Sequence, residues 1–203
     1  MLVKSIFWSI AFGLICLFGC RAKQECPGFN RPEHSDKQVD SVLAKQAAVF
    51  RDTLLNRFGE TPIKGLNYKA YHLLFYSSHG YGESIKFEIN DYGCFLTVKC
   101  IKKGDYSPEC QNYKTKITEE EWNELNAMIY EFDFWTAEPF RKNEDVLDGY
   151  ILFLEGNKPE AAICDQRTYQ FVGRSSPRFD KMEALCEYIR EYKEHLVFMY
   201  SQR

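Results

Sequence analysis

Two short segments laid end to end constrain this chain more than any other feature. Over 84–89, Ile85, Phe87 and Ile89 alternate with polar neighbours. After Asp91-Tyr92-Gly93 the alternation resumes, with Cys94, Leu96, Val98 and Cys100 on one face and Thr97 and Lys99 on the other. A period of two sends successive side chains to opposite faces of a strand, so each run sets an apolar row against a core. The Asp-Tyr-Gly break supplies a turn between them. A compact aromatic and aliphatic run at 71–76 precedes the pair. Past the loop marked by Gly104-Asp105 and Ser107-Pro108, residues 113–117 resume extended structure. This spacing predicts an antiparallel meander.

Helical signals flank the meander. Ser35 and Gln38 form a capping box ahead of Val39, Val42, Leu43, Phe50, Leu54 and Phe58, and Gly59 stands where a helix should end. Thr118 and Glu121 repeat the box before Trp122, Leu125, Met128, Ile129 and Phe132, with Trp135 just beyond. Asp148-Gly149 then leads into the apolar run 150–154, and Glu155-Gly156-Asn157 reads as a hairpin turn into a strand within 161–171. Ser176-Pro177 reads as an N-cap with proline at the first helical position, ahead of a helix burying Met182, Leu185, Cys186, Ile189 and Leu196. Strands clustered in runs between helices argue for an α+β fold: a mainly antiparallel sheet of about five to six strands packed with two to three helices.

The N-terminus is of another kind. Lys4 is the only charge in 1–19, and a nearly continuous apolar stretch covers 6–18 before Gly19-Cys20. That stretch is shorter than the roughly twenty residues a spanning helix needs, which makes it a secretory signal rather than a permanent anchor. Leu17-Phe18-Gly19-Cys20 resembles the lipobox of bacterial lipoproteins. The resemblance implies cleavage before Cys20 and lipid on its thiol and new amine, giving a membrane partner through stable multi-chain anchoring. Arg21, where inner-membrane lipoproteins carry Asp, favours the outer membrane of the cell envelope. The organisation expected is a signal at 1–19, lipidated cysteine and polar tether at 20–35, and a single α+β domain at 36–203.

The formal net charge is −3 and the charges are interspersed, so no nucleic-acid footprint is expected. Aromatics at 16% fit a Phe- and Tyr-built core, or an exposed stacking surface for a glycan. Beyond the signal and Cys20, the cysteines are Cys26, Cys94, Cys100, Cys110, Cys164 and Cys186, in an exported setting where disulfides persist. Cys100 and Cys110 flank a loop with two turn signals and are the first candidate bridge. Cys164 and Cys186 are the second. No C-x-x-C, H-E-x-x-H, phosphate loop, complete dinucleotide fingerprint or G-x-S-x-G elbow occurs. His34, His72, His79 and His195 form no ligand spacing, so neither metal nor cofactor is expected.

Leu147-Asp148-Gly149, Glu155-Gly156 and Arg174-Ser175-Ser176-Pro177 resemble a domain of uncharacterised bacterial lipoproteins, over roughly the last third of the chain. That family implies no activity. Two functions stay open. The domain is either a non-catalytic binding or structural module with an envelope protein or glycan partner, or a hydrolase using the carboxylates of Asp148 and Glu155 with His79 or Arg174 assisting. Arg174 itself is expected either to pair with Asp148 or Glu155 or to floor an anion site beside a helix N-terminus. Convergence of these four side chains would mark an active site.

Overall fold

A computed structural model describes residues 41–101, 112–137, 140–141, 149–159, 168–176 and 180–202. The signal, Cys20, the tether, the Ser35 capping box, Asp148 and Cys110 lie outside the described residues, as do Cys164 and Pro177. The strands are β1 (Lys69–Ser77), β2 (Gly82–Asn90), β3 (Gly93–Ile101), β4 (Tyr113–Ile117), β5 (Phe140–Arg141), β6 (Tyr150–Asn157) and β7 (Tyr169–Ser176). They form one sheet in the order β4-β3-β2-β1-β6-β7-β5. Six of them are joined antiparallel, and the two-residue β5 adds parallel to β7. With helices α1 (Ser41–Phe58), α2 (Glu119–Glu131) and α3 (Lys181–Ser201), the fold is α+β as the sequence pattern predicts.

β1 lies at the centre, with β2 on one side and β6 on the other. Tyr71, Leu73 and Phe75 face the larger core with Ile85, Phe87, Leu96, Leu152 and Leu154, against Trp122 and Leu125 of α2 and Leu185 and Ile189 of α3. Leu74 faces the other way and joins Phe153 beneath Leu54, Leu55 and Phe58 of α1. A strand covered on both faces reads as a continuous apolar run, which is the pattern at 71–76.

Local chemistry sets the boundaries. α1 ends in a Schellman motif: Gly59 adopts φ 61°, its N–H donates to Asn56 O at 3.1 Å, and Glu60 N–H donates to Leu55 O at 2.8 Å. α2 begins with the full capping box, Thr118 Oγ1 accepting from Glu121 N and Glu121 Oε2 accepting from Thr118 N.

Three sequence expectations need correction. Glu155-Gly156-Asn157 is no turn but the end of β6. Glycine stands at 156 because a Cβ there would lie 2.6 Å from Phe134 Cε1 and 3.0 Å from Trp135, the aromatics of a 3-10 turn over Phe134–Thr136. The strand placed within 161–171 is β7, beginning at Tyr169, and it runs on through Ser176. Ser176 is therefore not a helix cap. α3 is capped instead by Asp180, whose carboxylate accepts from Glu183 N–H at 2.9 Å. The apolar stripe chosen for that helix is correct, since Met182, Leu185, Cys186, Ile189 and Leu196 are all buried.

Candidate functional site

Among the described residues, three clusters of polar side chains stand out within the apolar packing. The first lies under α1, where the register sets His72 of β1 directly opposite Glu155 of β6, both at 0% exposure. Glu155 Oε1 accepts from Arg51 Nη1 of α1 at 2.7 Å and from Tyr169 OH at 3.1 Å. His72 Nε2 and Ser84 Oγ share a hydrogen bond of 2.8 Å. His72 Nδ1 and Glu155 Oε2 have no hydrogen-bond partner among the described residues. Burial pushes the imidazole of His72 down to about 3, with Glu60 resisting and Lys86 and Lys99 reinforcing the shift. Burial also pushes the Glu155 carboxyl up, against Arg51 and Tyr169.

The segment 59–68 straps across the same layer. Glu60 receives Lys86 Nζ at 3.0 Å and Lys99 Nζ at 2.6 Å. Asn157 accepts from Gly65 N–H and donates to the carbonyls of Leu66 and Tyr68 at 3.0 and 2.9 Å. Burial would raise the Glu60 carboxyl, but the two hydrogen-bonded ammonium groups outweigh it and hold the group below its ordinary value.

The second centre is at the start of α3. Arg174, buried on β7, donates from Nε to Asp180 Oδ2 at 2.6 Å and from Nη1 to the Gly173 carbonyl at 2.7 Å. Burial opposes the charge on Asp180, yet the Glu183 N–H and Arg174 together keep its carboxyl below the usual range. A cleft of about 210 Å³ opens here among Phe132, Asp133, Thr136, Arg174, Lys181 and Met182. Its charges alternate, with Lys181 bridged to Asp133 at 2.7 Å. In the third centre, Glu83 at the head of β2 meets Lys193 Nζ at 2.6 Å and Arg190 Nε at 3.4 Å, both from α3.

Among the described residues, the sequence candidates Glu155, Arg174 and His79 do not converge. Glu155 and Arg174 are three positions apart in the β6–β7 register, since Arg174 lies opposite Leu152, and so they occupy opposite faces of the sheet. Arg174 pairs with Asp180 and not with Glu155, a correction forced by that parity. His79 is exposed in the β1–β2 turn, and Asp148 lies outside the described residues. Cys20, Cys110 and Cys164 lie outside them too. Cys100 is disulfide-bonded. Cys186 is a free buried thiol, so the proposed Cys164–Cys186 bridge is overturned. Burial pushes that thiol strongly up, which keeps it protonated.

Sequence reasoning passed over Arg51, His72, Ser84, Glu60 and Asp180. His72 was the visible clue, because a histidine inside a strand covered on both faces must be accommodated by other polar groups. Among the described residues no three His, Cys, Asp or Glu side chains gather as a metal site. Compared with known proteins, the chain matches no family model and no curated protein sequence.

Proposed function

We propose that the chain is a lipid-anchored bacterial envelope lipoprotein whose domain is a non-catalytic binding or structural module. The anchor rests on Leu17-Phe18-Gly19-Cys20 after a short apolar stretch. Lipid on Cys20 is the membrane partner, and Arg21 favours the outer membrane. An envelope protein or glycan is the partner of the domain.

The non-catalytic reading is supported best by one observation: Glu155 and Arg174 occupy opposite faces of the sheet, each bound to a fixed partner. Acid–base chemistry needs groups held within mutual reach of a substrate atom. Glu155 is sealed beneath α1, and Arg174 is committed to the carboxylate that caps α3. A carboxylate-dependent hydrolase built on Glu155, Asp148, His79 and Arg174 would have to draw on both faces at once.

Metabolic labelling with a clickable palmitate tests the anchor. Wild type should label and the Cys20→Ala variant should not; equal labelling of the two would refute it. Screening the full chain against esterase, amidase and glycosidase substrates tests the domain. Turnover that disappears in a Glu155→Gln or Arg174→Ala variant of unchanged thermal stability would replace the binding reading with the enzymatic one.

A further inference from the structure

The sheet ends on one side at β4, and among the described residues no strand pairs beyond it. An edge strand offers its outward N–H and C=O groups to any extended chain, and proteins guard such edges with proline, bulges or charge. Tyr-Lys-Thr-Lys-Ile over 113–117 contains no proline. Its pairing to β3 runs from Cys94↔Ile117 to Val98↔Tyr113 without a bulge. Charge is the guard that remains.

That charge has a period of two. Lys114 and Lys116 are exposed and share the face of the sheet that carries His72 and Lys86. Tyr113 and Thr115 are half-buried on the opposite face, where Tyr113 packs against the larger core. The lysine side chains lie back over β3. Lys114 Nζ stands 5.7 Å from the centre of the Phe95 ring, and Lys116 occupies the space beside Gly93, where a Cβ would come 2.6 Å from its Cε. Among the described residues neither lysine has a carboxylate partner.

This pattern rejects one occupant and fits another. A second copy laid antiparallel on the edge and centred on Thr115 would set Lys114 against Lys116 twice, and like charges directly opposite are destabilising. A strand of alternating acidic and apolar residues would do the reverse. Its carboxylates would face Lys114 and Lys116, whose Cα atoms lie about 6.8 Å apart along a strand. Its apolar side chains would continue the row of Tyr113 and Thr115. Glu119 and Glu120, exposed at the start of α2, confine the acidic run to the span of β4.

We propose that the outer edge of β4 is the docking site of a partner protein, which adds to the sheet one extended segment of alternating acidic and apolar residues. Main-chain hydrogen bonds supply the attraction, and the alternation supplies the specificity. The proposal rests on the reading of the domain as a binding module and makes its partner a protein.

Hydrogen exchange on the full chain with added peptide tests this. Val-Glu-Val-Glu-Val, blocked at both ends and at millimolar concentration, should protect the amides of 113–117, less so as salt is raised. A peptide of the same composition with its two Glu adjacent should not. Changing Lys114→Gln and Lys116→Gln together should weaken the response about tenfold. Reversing both, Lys114→Glu with Lys116→Glu, should abolish the response to the acidic peptide and create one to Val-Lys-Val-Lys-Val. These substitutions alter exposed side chains and should leave the thermal midpoint unchanged. No protection of 113–117 by the acidic peptide, equal protection by the non-alternating one, or a preference unmoved by charge reversal would each overturn the proposal. So would protection by tetragalacturonate, which would assign the edge to an acidic glycan. Palmitate labelling and hydrolase turnover do not involve β4, so failure of the peptide test and failure of the lipoprotein or binding-module reading are separate results.

Discussion

Arg174 and Asp180 are joined through the same carboxylate that starts α3: Oδ2 accepts from the guanidinium at 2.6 Å while Oδ1 accepts from Glu183 N–H at 2.9 Å. One side chain thus ties the last strand of the sheet to the last helix. The two duties can be separated by substitution. Asp180→Asn keeps a capping oxygen and removes the charge, whereas Asp180→Ala removes both. We expect Asp180→Ala to cost about 2–3 kcal/mol in urea unfolding, with Asp180→Asn costing about half as much. Arg174→Ala should lower stability by about 2 kcal/mol and add less than additively to Asp180→Ala. Full additivity would mean that the two side chains do not act as a unit.

Acid should weaken the strap through Glu60. Its carboxyl is held below the ordinary 4.5 by Lys99 and Lys86 despite burial, so its stabilising contribution is complete above 4.5 and is lost as pH falls through the lowered value. A pH series of thermal midpoints below 4.5 should therefore be steeper for wild type than for Glu60→Gln. Parallel curves would remove Glu60 from the acid response.

Gly156 is required by packing and not by backbone conformation. A methyl group there would meet Phe134 and Trp135, both buried, at 2.6 and 3.0 Å. Gly156→Ala should destabilise the domain by about 1–3 kcal/mol through overpacking and should alter the near-ultraviolet circular dichroism of those rings. A neutral result would show that the 3-10 turn yields without cost.

The cysteines should divide by reactivity. Cys94 and Cys186 are buried thiols, and both are pushed up by burial. They should resist alkylation in the native protein and react at once in non-reducing denaturant. Peptide mapping without reduction should place Cys100 in a bridge to Cys110. Closing that short loop contributes about 2–3 kcal/mol in the chain-entropy model. A Cys100 peptide crosslinked elsewhere would redirect the assignment.

Where side-chain parity alone decides structure, the chain is readable. Ile85, Phe87, Leu96 and Val98 share a face as the alternation requires, and the Thr118–Glu121 box and Gly59 terminate helices as their chemistry dictates. The errors arise where one residue type serves two purposes. Gly156 resembles turn chemistry but answers to Phe134, a residue more than twenty positions away in sequence. Ser176-Pro177 resembles a helix start, but Asp180, four residues after Ser176, is the cap. The partner of Arg174 depends on which face of β7 it occupies, and parity across β6 is fixed only once the register is known.

The central position of β1 has a consequence for how the chain comes to be folded. β2, β3 and β4 follow β1 directly, so that half of the sheet can assemble while later residues are still being made. The other edge of β1 is completed by β6, which arrives only after α2 and β5. Until then a strand buried on both faces presents bare backbone donors and acceptors along one edge, the kind of edge on which chains associate with one another. Slow delivery of β6 is thus the point at which nascent copies are most exposed to mispairing, and a chain interrupted after α2 would carry that sticky edge permanently.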